Sequence, residues 1–222
     1  MLTVLIQSLL LASAGLFAPG SMTLVILLLM SARGWRNGLG YVLGYMSGYT
    51  VIGTTVVIAG YQAAQNRGPE AGLFLPILLL VLGTLLLLLG LRNWRKPASQ
   101  SHETPRFFAI VDQITPPRAY AFGALVTVIN FKNLALFFSA ISVVLLSPLS
   151  LPEKLVITLM VVVVFCSAVL IPLLIYLAFP RRAADLLNGI KDALERHSRP
   201  IGIWAPLIFG LLLIIRGWTL LP

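Results

Sequence analysis

The stretch Val126-Thr-Val-Ile-Asn130-Phe-Lys132-Asn133-Leu-Ala-Leu-Phe-Phe138 decides how this chain must be read. It sets an ammonium between two amides in the interior of a segment otherwise apolar enough to cross a bilayer. An ionised side chain in the middle of a membrane helix costs about 2.5–3.5 kcal/mol on insertion scales, so Lys132 is a candidate for a functional site. Composition names the solvent. Of the 222 residues, 59% are hydrophobic and 10% are charged, whereas a soluble domain carries about 25% charged residues.

Working outward from that stretch, runs of about 20 apolar residues define six spans: Leu2 to Met30, Leu39 to Gly60, Leu73 to Leu91, Tyr120 to Leu146, Leu155 to Phe179 and Ile201 to Leu221. The first run lacks a positive n-region and is too long for the apolar core of a signal peptide, so it reads as the first membrane helix. The basic residues are distributed unevenly between the loops. Twelve (Arg33, Arg36, Arg92, Arg95, Lys96, Arg106, Arg118, Arg181, Arg182, Lys191, Arg196 and Arg199) fall on one side, and only Arg67 and Lys154 fall in the opposite loops. The positive-inside rule makes the twelve cytoplasmic and puts both termini outside, in a multi-pass protein of the inner (plasma) membrane. The net charge of +9 is thus an orientation signal and a contact with anionic membrane lipids, not the footprint of a nucleic-acid-binding surface.

The spans repeat. Gly83 and Gly90 in span three are separated as Gly210 and Gly217 are in span six, and Pro19 and Phe131 mark irregular elements 112 residues apart in the two longest runs. Three crossings reverse the second half, so the expected fold is all-α, with six transmembrane helices in two inverted three-helix repeats. Residues 1–96 form the first repeat. Residues 97–118 form a cytoplasmic linker with an interfacial segment, and 119–222 form the second repeat, with a cytoplasmic amphipathic helix at 181–196 that suits a leaflet surface. Inverted repeats with broken helices at matching places point to a transport site near the midplane.

The first break is predicted near Ala18, because Pro19 removes a backbone donor and restricts the residue before it, while Gly20 frees the backbone. Pro19, Gly20 and Ser21 from one half and Asn130, Lys132 and Asn133 from the other are the candidate substrate-binding residues. Tyr45 joins them as a cavity-facing member of the stripe Tyr41, Tyr45, Tyr49, and the adjoining ridge Gly40, Gly44, Gly48 serves close helix packing, within the chain or in a homodimer. A fixed cation beside two amides and a half-helix N-terminus favours an anionic group.

No metal or other cofactor is expected. All seven acidic residues lie outside the spans, which disfavours a hard-cation transporter, and Asp112 is the one acidic residue placed to act as a coupling relay. Cys166 is the single cysteine, so neither a disulfide framework nor a dithiol pair exists. Both histidines, His102 and His197, fall outside the spans, leaving Ser21 and Ser139 without a base; the chain does not read as an enzyme.

Phe107-Phe-Ala-Ile-Val-Asp112-Gln-Ile-Thr115-Pro116-Pro-Arg118-Ala119, followed by Gly123 and Asn130-Phe-Lys132-Asn133-Leu134, resembles the GAP family of the LysE transporter superfamily, which includes glycopeptidolipid- and sulfolipid-addressing proteins. Ala18-Pro19-Gly20-Ser21 with Arg33, Asn37 and Gly44 is similar to that family's first-half motif. The resemblance covers nearly the whole chain. It implies a LysE-like six-helix exporter of a small anionic or zwitterionic solute or lipid-related molecule, or else a non-transporting accessory or scaffold for lipid export. Phe131 stands where the family usually has proline, so the second break is expected to be milder than the first.

Overall fold

The computed structural model describes residues 1–31, 33–66, 74–95 and 114–219. They are helical apart from short connections. In chain order these are α1 (Leu2–Ala12), a 3-10 segment (Ser13–Phe17), α2 (Pro19–Leu29), α3 (Gly34–Asn66), α4 (Phe74–Arg95), α5 (Pro116–Ile129), α6 (Phe131–Leu145), α7 (Leu151–Phe165), α8 (Ser167–Ala178) and α9 (Ala183–Thr219). Among the described residues one helix, α3, is long and apolar enough to cross a membrane, and there are up to four spans if each of three bent pairs is one.

Two of those bends were legible. Pro19 opens α2, with Ala18 at φ −109° and ψ 67°, and the chain turns by 60° there. At Asn130 the dihedrals are −83° and 76°, and the bend is 73°. The expectation of a milder second break is therefore wrong. Asn130 does the work that proline does at Pro19, since its side chain accepts from the Asn133 N–H at 3.2 Å and caps the new helix. The third bend, 62° between α7 and α8, was not foreseen. Ser167 there bonds back to the Val164 carbonyl at 2.6 Å, a competition with the helix ladder that bends helices.

Glycine sets the helix spacing. A Cβ on Gly40, Gly44 or Gly123 would meet backbone of the facing helix, Pro116, Tyr120 and Tyr41 respectively, and one on Gly48 would meet Thr127. The order of these contacts makes α3 and α5 parallel. The ridge is thus used inside the chain. Gly83 and Gly210 approach reciprocally, each Cβ position lying 2.8 Å from the other's carbonyl oxygen, while Gly217 faces Pro76 and Gly90 faces Leu207. Hence α4 and α9 run antiparallel. Between α2 and α3 the turn needs Gly34 at φ +28°, where a side chain would be strained and would also meet the Tyr176 hydroxyl.

The segments expected to be an amphipathic helix and a sixth span form one helix, α9. Its apolar face turns onto the protein: Ala183 and Leu187 are buried, Ile190 packs on the core, and Leu186 remains exposed.

Lys154, which the sequence marks only as a loop cation, is buried. Its ammonium donates to the Leu145 carbonyl at 2.8 Å and lies 5.5 Å from the centroid of the Tyr61 ring. Leu145 ends α6, so the charge sits at the negative end of a helix, and the Ser150–Glu153 capping box holds the first turn of α7 beside it. Lys154→Met strips the α6 terminus of its donor. A loss of about 1–3 kcal/mol is expected, measurable as a lower melting temperature of the detergent-purified protein; an unchanged temperature would show that the bond contributes nothing.

Candidate functional site

The two breaks meet at one tyrosine. Tyr45 lies midway along the buried stripe of α3, and its hydroxyl accepts from the Asn133 amide at 3.3 Å. Ser21 is turned toward Tyr41 and Tyr45 from the other half without completing a hydrogen bond. Ser21 and Asn133 are each the third residue of a half-helix, and they are 112 positions apart. The backbone matches as well, because Ala18 O accepts from the Met22 N–H at 3.1 Å and Asn130 O accepts from the Leu134 N–H at 2.9 Å.

The candidates divide accordingly. Ser21, Tyr45 and Asn133 are brought together in the core. Asn130 holds the second break. Pro19 is half-buried at the first residue of α2, and Gly20 is exposed with nothing within 4 Å of where a Cβ would stand. Lys132 is half-buried and makes no hydrogen bond or ion pair with any described residue. Its place is unfavourable twice over. It is desolvated, and it occupies the first turn of α6, where the helix dipole repels a cation. An anion would relieve both penalties, and the N–H groups at the start of α2, which has no side-chain cap, would add donors. Asp112, the coupling candidate, lies outside the described residues.

Sequence reading picked out Tyr45 and missed how far the polar stripe extends. Tyr41 and Tyr49 are as deeply buried as Tyr45, and Asn37, one turn below Tyr41, is fully buried too. Asn37 donates to Ser31 Oγ and to the Ile114 carbonyl, both at 3.1 Å, tying the end of α2 and the approach to α5 onto α3. The signal was present as a spacing of four in Asn37, Tyr41, Tyr45, Tyr49. Above it, Tyr49 packs with Phe137 and Phe165 at centroid distances of 4.7 and 4.9 Å, and the buried Cys166 directly follows Phe165. No group of three or more metal-ligating side chains occurs among the described residues.

Neither the curated proteins nor the solved structures contain a match to this chain. The family comparison does give one: residues 9–219, both breaks and the Tyr45 cluster included, match the model described as Sap, sulfolipid-1-addressing protein, and the chain belongs to that family.

Proposed function

We propose that the protein is an alternating-access exporter of a small anionic or zwitterionic solute or lipid-related molecule, whose anionic group binds between the two helix breaks. The observation that carries this reading is the Lys132 ammonium, without a partner among the described residues, in the first turn of α6, one residue before the Asn133 that bonds Tyr45. A cation placed against both burial and a helix dipole is stable when an anion shares the site. The matched geometry at Ala18 and Asn130, and the antiparallel crossing of Gly83 with Gly210, support halves of opposite orientation. Exposed Trp35 and Trp94, next to Arg36 and Arg95, support a cytoplasmic interface at that end of α3 and α4.

Family membership directs the search toward lipid-linked substrates. It equally accommodates an accessory protein that serves a lipid exporter without cycling itself. Untargeted metabolite and lipid profiling of cells with and without the protein should reveal one class of anionic compound retained in its absence. Flux of that compound by the purified protein in proteoliposomes then supports export; retention without flux, together with a copurifying membrane partner, would replace the transporter by the accessory reading.

A further inference from the structure

Every buried side-chain polar atom left without a partner among the described residues belongs to one strip: Asn37 Oδ1, Tyr41 Oη and Tyr49 Oη on α3, with Ser21 Oγ and Asn133 Oδ1 facing it. The four α3 residues Asn37, Tyr41, Tyr45 and Tyr49 recur every fourth position, and none is more than 1% exposed. At 1.5 Å per residue the strip is about 18 Å long. It begins next to Arg33 and Arg36, among the twelve cations of one side, meets the second break where Asn133 bonds Tyr45, and ends one turn further on at Tyr49. A buried polar group without a partner loses its hydration and gains nothing in return. Five such atoms in one line mark a seam that dry packing penalises and hydration relieves, because internal water is held by groups of this kind.

We infer that this seam is an inner half-channel, closed in this conformation, which takes up a file of water from the cytoplasmic end of α3 and leads to Lys132. The tyrosine hydroxyls and the two amides line the file. On the exporter reading, the polar end of the solute enters by the same route; the uptake of water depends only on the seam and the orientation.

Cys166 supplies a native reporter. It is fully buried, it is the single thiol of the chain, and it directly follows Phe165, whose ring packs on Tyr49 at a centroid distance of 4.9 Å. A charged, membrane-impermeant methanethiosulfonate is applied to inside-out and to right-side-out vesicles, modification is read by the intact mass, and Cys166→Ser serves as the blank. Modification roughly tenfold faster in inside-out vesicles is expected, since a thiol reacts only where the reagent can reach it. Tyr41→Phe and Ser21→Ala, each of which removes a hydroxyl from the seam, are expected to slow it severalfold. Equal rates from both faces, or a faster rate from the outer face, would overturn the half-channel. So would variants that react as the parent does. None of these outcomes depends on flux, so the half-channel can fail while export stands, and export can fail while the half-channel stands.

Discussion

Gly44→Val is expected to leave no monodisperse folded protein after extraction in mild detergent, whereas Gly20→Ala should behave as the parent does. At Gly44 a Cβ would meet the Tyr120 carbonyl and the Ala124 backbone nitrogen of the facing helix. Neither is the end of a flexible side chain. The helices themselves must separate, and the neighbouring contacts at Gly40, Gly48 and Gly123 must open with them. Overpacking of this kind costs about 1–3 kcal/mol where side chains can yield, and more where backbone is the obstacle. Membrane helix pairs built on small residues gain their stability from that closeness. Gly20 is the opposite case, with nothing within 4 Å. Size-exclusion profiles and melting temperatures of the two variants decide the matter; a Gly44→Val protein that melts with the parent would mean that α3 and α5 are not held at glycine distance.

Lys132→Ala should abolish detectable transport of the retained compound while the protein inserts at the parental level. A charge-assisted hydrogen bond contributes about 1.5–3 kcal/mol, so its loss weakens solute binding roughly ten- to hundredfold. Stability should move the other way. The ammonium has no partner among the described residues, and removing an unpaired, desolvated charge relieves a penalty instead of breaking a bond. Lys132→Met should therefore melt at or above the parental temperature in the absence of solute. A lower melting temperature with undiminished flux would show that Lys132 is a strut, and the site assignment would fall.

Much of the helical layout was legible because its causes are local. Pro19 forbids a continuous helix by its own chemistry, and the glycine spacing in α3 announced a close neighbour. The pairing of Gly83 with Gly210 went further, since a repeated pattern in two distant spans proved to be two faces of one contact. The break at Asn130 was placed correctly but judged too mild, because the proline was weighed and the capping amide was not. The bend at Cys166 was not legible. Four valines and a phenylalanine precede it, and the Ser167 back-bond has counterparts at Ser47 and Ser142 inside unbroken helices; what sets this site apart is a distant contact, the 3-10 segment bringing Gly15 against the Phe165 carbonyl where the helix turns. Lys154 was misread for a similar reason, as the Leu145 carbonyl that accepts its hydrogen bond belongs to a different helix. Within the site, Lys132, Asn133, Ser21 and Tyr45 were named from residue type and spacing. Tyr41 and Tyr49 were seen as a stripe but not counted in the site, and Asn37 was not joined to it, because their role arises from a line of unmet hydrogen bonds that exists only once α2 and α6 are packed on α3.

The crossing of Gly83 with Gly210 also fixes an order of events during synthesis. The two residues are 127 positions apart, so α4 leaves the ribosome long before the helix that covers its glycine face. Until α9 inserts, that ridge is open to lipid or to the wrong helix. A chain cut short before Gly210 is thus distinguishable from a finished one by this bare strip alone, and membrane quality control has a surface on which to act until the final helix closes it.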